Sequence, residues 1–212
     1  EVKEDEKSGS KDSYLALFKQ KYVWLFFLGI FCYVSTEQGT SIFMSTFLEQ
    51  YHGVNPQTDG AQAVSYFWGL MTAGCLVGML LLKLIDSKRL LQISGVLTIV
   101  LLLSALFGSK GIALIAFPAV GFSISMMYSI VFSLALNSAS QHHGSFAGIL
   151  CSAIVGGAGG PMIVSTIADA TSLRTGMLFI LVFVGYITFI GFWARPLINN
   201  KTVKLKKLLK KA

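Results

Sequence analysis

Six stretches of this chain, near 22–48, 62–85, 90–108, 110–134, 146–168 and 176–195, run with few or no charges. Each holds enough apolar sequence, at least ~17 residues, to cross the hydrocarbon core of a bilayer as one helix. Inside lipid a backbone amide has no water to bond to, so such stretches fold as helices. Composition points the same way: 54% of residues are hydrophobic and 13% charged, where a soluble domain carries about 25% charged residues. The mean hydropathy is +0.68. The expected fold class is therefore an all-α membrane protein with six transmembrane helices.

Charge placement supports that count. A net charge of +7 in a soluble chain would suggest a nucleic-acid partner, but here the charges flank the spans and no such partner is expected. An even number of spans puts both termini on one side. That side receives Lys3, Lys7, Lys11, Lys19, Lys21, Lys83, Lys88, Arg89, Arg195, Lys201, Lys204, Lys206, Lys207, Lys210 and Lys211, and the other only Lys110 and Arg174. The asymmetry predicts cytoplasmic termini. The domains read as a cytoplasmic linker with a possible surface helix (1–21), a six-helix bundle (22–195) and a polybasic tail (196–212). Tyr14 to Lys21 is either a short amphipathic helix, with Tyr14, Leu15, Leu17 and Phe18 towards lipid, or a frayed start to the first span. The tail either binds anionic lipid, at about 1 kcal/mol per basic residue, or serves only to fix topology. The chain begins at Glu1 with a polar segment, which reads as a fragment without a signal peptide.

Two spans are polar where lipid would forbid it. The first carries Ser35, Thr36, Glu37, Gln38, Thr40, Ser41, Ser45 and Thr46; at helical pitch Tyr33, Thr36, Glu37, Thr40 and Met44 share a face. Glu37 is the one ionisable residue deep within a span, and a carboxylate there is costly unless it meets water, a partner or a proton. It either lines a cavity or bonds a neighbouring helix. The fourth span repeats the habit with Ser123, Ser125, Tyr128, Ser129, Ser133 and Asn137. The fifth places Gly144, Gly148, Ser152, Gly156 and Gly160 at every fourth position, a ridge built for close helix packing, with Pro161 to bend or loosen it. The second span has its own pair, Gly74 and Gly78. The third and sixth are almost wholly apolar, and the third is expected to face lipid. The order polar, glycine-containing, greasy occurs twice, as in two inverted three-helix repeats.

Enzymatic motifs are lacking. There is no P-loop, no HExxH and no intramembrane Ser–His or Asp–Asp pair, so neither catalysis nor a cofactor or metal is expected. Cys32, Cys75 and Cys151 fall within spans and read as packing residues. His52, His142 and His143 lie in or beside loops, and Tyr66, Phe67 and Trp68 read as interface aromatics.

Several segments together resemble one family. MMYSIVFSLALN at 126–137 and GSFAGILCSAIVGGAGGPMIVSTIADA at 144–170 are similar to the fucose/glucose/galactose:proton symporters of the major facilitator superfamily. FCYVSTEQG at 31–39, FWGLMTAGCLVG at 67–78 and the following KLIDSKRLL match as well. The sequence departs at Cys75, where the family often has a basic residue, and at Ser129, where it often has proline. The resemblance implies the C-terminal half of a twelve-helix transporter of the bacterial inner membrane, moving a small sugar by alternating access with proton coupling. Its implied partners are membrane lipid, a sugar, a proton and a missing N-terminal six-helix half, which would hold the coupling carboxylates. Tyr33, Glu37, Gln38, Tyr128 and Asn137 are the candidate substrate or gate residues. Gly148, Ser152, Gly156, Gly160 and Pro161 are the candidate packing residues, expected at a moving seam between halves. Two other readings are a transporter of a drug, peptide or organic anion, the anion being disfavoured by the scarcity of Lys and Arg inside the spans, and a membrane scaffold or partner subunit without transport.

Overall fold

The computed structural model describes residues 11–197, and all regular structure among them is helical. A short helix α1 (Lys11–Phe18) turns by 87° into α2 (Lys21–His52), the first span. Next come α3 (Ala61–Leu84), α4 (Ser87–Phe107), α5 and α6 (Lys110–Ile124, Met127–Leu136), α7 and α8 (His143–Ser152, Gly156–Ala170), and α9 and α10 (Leu173–Leu178, Ile180–Trp193). The last three pairs each make one spanning rod, giving six spans in all. Five pass on length and hydropathy; α2 passes only together with α1, because its second half is polar. Its 32 residues nevertheless reach about 48 Å at ~1.5 Å per residue.

The connections are tight. Gly53 caps α2 in a left-handed conformation (φ 58°), which only glycine adopts without a steric cost. Asn55 accepts Gln57 N–H at 2.9 Å to start a single π turn, Pro56–Gly60, that runs straight into α3. Asp86 accepts Lys88 N–H at 3.0 Å and so begins α4. The antiparallel returns collect Lys21, Lys83, Lys88, Arg89 and Arg195 at one end, the basic end, and Lys110 and Arg174 at the other.

Packing follows an inverted repeat. Gly156 and Gly160 of α8 press against Phe31 and Ser35 of α2, where any Cβ would strike the Phe31 carbonyl or the Ser35 side chain. Gly74 and Gly78 of α3 press in the same way against Phe122 and Ser125 at the end of α5 and against Met126. A glycine pair one turn apart thus meets an equivalent partner pair in each repeat, with the second span on the fourth and the fifth on the first. The third and sixth spans meet each other, Gly95 against Thr188 and Gly191 against Lys88 and Gln92. Exchanging repeats leaves these contacts unchanged, as a two-fold axis in the membrane plane demands. Ser35 also donates to the Gly156 carbonyl at 3.0 Å.

At the end opposite the basic one, Arg174 lays its guanidinium 4.4 Å from the Tyr51 ring centroid, with Phe47 at 5.8 Å and Phe107 at 5.6 Å. Tyr51 accepts the Arg174 backbone N–H at 3.3 Å. Desolvated cation–π contacts contribute ~2 kcal/mol, here tying the ends of the first, third and sixth spans.

Four expectations change. The connection between the first two apolar stretches, 49–61 by their bounds, is only Gly53–Asn55 before helical structure resumes. The ridge of the fifth span is interrupted by a 3₁₀ turn, Ala153–Val155, ahead of Pro161. Ser152 is exposed and Gly148 approaches only the Tyr14 hydroxyl, so the ridge does not act as one surface. Its closely packed part, Gly156 and Gly160, is buried against α2 within the bundle. The third span packs one face inward through Ser94, Gly95, Thr98 and Leu102; the least buried spans are the second and fifth. A uniformly aliphatic sequence concealed that small-residue stripe. Finally, α1 buries Leu17 and leaves Leu15 and Phe18 exposed, so it lies across the bundle base with one side inward. The linker before Lys11 and the tail from Ile198 lie outside the described residues.

Gly156→Leu should therefore lower the melting temperature of the purified protein by several degrees, since overpacking costs about 1–3 kcal/mol. Gly69→Leu, at a position facing open space, should not; equal behaviour of the two variants would contradict the seam.

Candidate functional site

Midway along α2 the helix changes from an apolar to a polar surface, and the residues sort by direction. Thr36, Thr40 and Met44 turn into the bundle and are fully buried. Thr36 returns its hydroxyl to the Cys32 carbonyl at 2.9 Å, while the Thr40 hydroxyl has no partner among the described residues. The expected five-residue face thus divides, because α2 is central and neighbours take both sides of it. Tyr33 is buried, and Glu37 and Gln38 are left half-buried at the rim.

Opposite them, the fourth span breaks at Ser125–Met126 and restarts as α6, which carries Tyr128 to the same place. The Tyr33 and Tyr128 ring centroids are 5.6 Å apart with planes inclined by 56°, a tilted aromatic pair of favourable geometry. Tyr128 in turn stacks on Phe132 at 5.7 Å. Tyr33 lies beside Glu37, and Tyr128 beside Cys151. Gln38 donates to a Glu37 carboxylate oxygen at 3.2 Å. Four of the sequence candidates, Tyr33, Glu37, Gln38 and Tyr128, therefore form one centre shared by two spans. It joins aromatic faces, a carboxylate and an amide, groups that suit a neutral ligand bearing hydroxyls and C–H faces.

Asn137 stands apart. It ends α6 nine residues beyond Tyr128, about 13 Å along the axis at ~1.5 Å per residue. There its side chain donates to the Ser133 hydroxyl at 3.4 Å and its carbonyl accepts Leu197 N–H at 2.7 Å. Phe132, Cys75 and Cys151 were not among the candidate site residues, the two cysteines being read as packing residues. Cys75 lies near Tyr33 and donates to the Ser125 carbonyl at 3.3 Å. Helical spacing could have found Phe132, one turn after Tyr128; nothing local marks the cysteines, which reach the centre from the second and fifth spans. Among the described residues no three His, Cys, Asp or Glu side chains gather as metal ligands would.

Brief maleimide treatment of the solubilised protein should modify Cys75 and Cys151, both exposed, and spare Cys32, which is 4% exposed. Peptide mass spectrometry reads the order, and earlier modification of Cys32 would contradict this packing.

Residues 1–161 match the family model described as Major Facilitator Superfamily. The chain is 33% identical over 193 residues to the glucose/galactose transporter of Brucella abortus biovar 1 (strain 9-941), a match covering 90% of this chain and 47% of the relative. The glucose/galactose transporter of Brucella abortus (strain 2308) matches to the same extent. Among solved structures, the E. coli fucose:proton symporter FucP superposes with a TM-score of 0.80 at 18% identity, covering 89% of this chain and 47% of that one. The chain spans about half the length of the curated relatives it matches.

Proposed function

The chain belongs to the major facilitator superfamily, and from that premise we propose that it is the C-terminal six-helix half of a twelve-helix secondary transporter carrying a small hexose-type sugar. The reading rests most on one observation: the centre of Tyr33, Glu37, Gln38 and Tyr128, half-open at the surface of a bundle otherwise built for lipid. A carboxylate so placed is costly in hydrocarbon, so a water-filled route covered by a second half is its natural setting. The half-length match to transporters named for glucose and galactose agrees with that.

In this scheme the two tyrosine rings lie against the sugar's C–H faces, while the Gln38 amide and Glu37 carboxylate bond its hydroxyls. The basic end faces the cytoplasm, with both ends of the segment on that side of a bacterial inner membrane. The exposed apolar faces of α3 and α8 are covered by lipid and by the N-terminal half. That half supplies the remaining sugar contacts and the principal proton-coupling carboxylates, and transport proceeds by rocking of the halves about the central site. Asn137 and the Asn137–Leu197 contact belong to the cytoplasmic gate. No step in the scheme makes or breaks a covalent bond, so the protein is a carrier and not an enzyme.

Proteoliposomes holding the complete transporter should accumulate labelled glucose, galactose or fucose under an inward proton gradient. Glu37→Gln should cut uptake by ~10-fold or more, the loss expected of charge-assisted hydrogen bonds worth ~1.5–3 kcal/mol. Wild-type uptake by that variant at every pH would remove Glu37 from the site.

A further inference from the structure

The Tyr128 side of the centre continues along α6 towards the basic end. Ser129, Ser133 and Asn137 follow at every fourth residue, hence down one face of α6 and its C-terminal end. Ser129, Ser133 and Asn137 line a shallow hollow shared with Tyr128 and Phe132. The same three residues line a deeper cleft of about 300 Å³, closed on its other sides by Asp86 and Lys83 at the α3–α4 turn and by Pro196 after α10. That volume lies at the small end of ligand sites, which span ~300–1,000 Å³.

The lining selects a chemistry. Two serine hydroxyls and the Asn137 amide offer both donors and acceptors. Asp86 accepts Lys88 N–H through one oxygen at 3.0 Å, and a carboxylate has room for further donors. Ile130 and Leu134 supply apolar surface. The ammonium group of Lys88 donates one of its three N–H bonds to the Ala194 carbonyl at 2.7 Å, and the Asp86 carboxylate offsets one of the two lysine charges in the lining, Lys83 and Lys88, so the wall offers an acceptor as well as donors. A neutral polyhydroxyl molecule is the ligand that satisfies donors, acceptors and apolar surface together.

We propose that this cleft is a second sugar station, at the cytoplasmic mouth, which receives the substrate after it leaves the tyrosine centre. The inference rests on the transporter reading given above and adds to it a site that acts from one side of the membrane only. Polar groups from α6 on one wall and the α3–α4 turn on the other make it complete within this half. The other occupant to be tested is a segment of the missing half.

The test uses the full-length transporter in right-side-out and inside-out vesicles with labelled galactose. Ser133→Val should raise KM at the cytoplasmic face by about five- to tenfold, as expected for one or two lost neutral hydrogen bonds, and leave KM at the outer face within about twofold. Ser133→Ala, a smaller change at the same exposed position, should show the same asymmetry and guards against misfolding of the valine variant. An equal change at both faces, or none at either, overturns the station; the latter is the result expected if protein fills the cleft. Absence of hexose uptake by the wild type overturns both readings, whereas normal wild-type uptake with an unchanged cytoplasmic KM overturns this one alone.

Discussion

Everything in this bundle depends on how closely helices can approach where glycine replaces a side chain. Lipid removes the hydrophobic drive that gathers helices in water, and van der Waals packing and interhelical hydrogen bonds take its place. Gly156 and Gly160 let α8 rest on the backbone of α2 at Phe31 and Ser35, and Gly74 and Gly78 let α3 rest on the fourth span in the same way. The buried bond from Ser35 to the Gly156 carbonyl adds direction to a contact that packing alone would leave free to slide. Because each repeat packs its glycine helix on the other repeat's polar helix, the two cannot be separated into independent units.

The polar centre follows from this crossing. Holding the fifth span on the first and the second on the fourth leaves the first and fourth adjacent, so Tyr33 and Tyr128 come into ring contact. It also brings Cys75 and Cys151 to the edges of that pair. On α2, glycine contacts and the polar rim adjoin: Phe31 and Ser35 face Gly156 and Gly160 of α8, and Gln38, one turn further along that face, packs its stem against Gly157. The packing seam and the candidate site therefore meet at Gln38, with Glu37 beside it on the next side of the helix.

Much of this was legible in the residues. The run lengths and the placement of Lys and Arg specify six helices and their alternation, because hydrocarbon leaves the backbone no other way to satisfy its hydrogen bonds. Glu37 stood out as a carboxylate where lipid would penalise it, and Tyr33 and Gln38 stood beside it. The direction of the glycine ridge was not legible: an i, i+4 spacing says that some helix comes close, not which one. The third span misled for a related reason, since Ser94, Gly95 and Thr98 look incidental in an aliphatic run until the sixth span is laid against them. The divided face of α2 came from neighbours on both sides, which periodicity alone does not supply.

By itself, then, the sequence determined an all-helical membrane bundle, its two repeated units and the residues too polar for lipid, since each follows from local transfer energetics and spacing along one helix. Tertiary structure decided the partners: which helix the glycines meet, which hydroxyls are buried, and that Tyr33, Glu37, Gln38 and Tyr128 share a centre while Asn137 lies near the basic end. Those are relations between residues far apart in the chain. They are set by which surfaces interlock most closely, a property of pairs of helices that no single stretch of sequence contains.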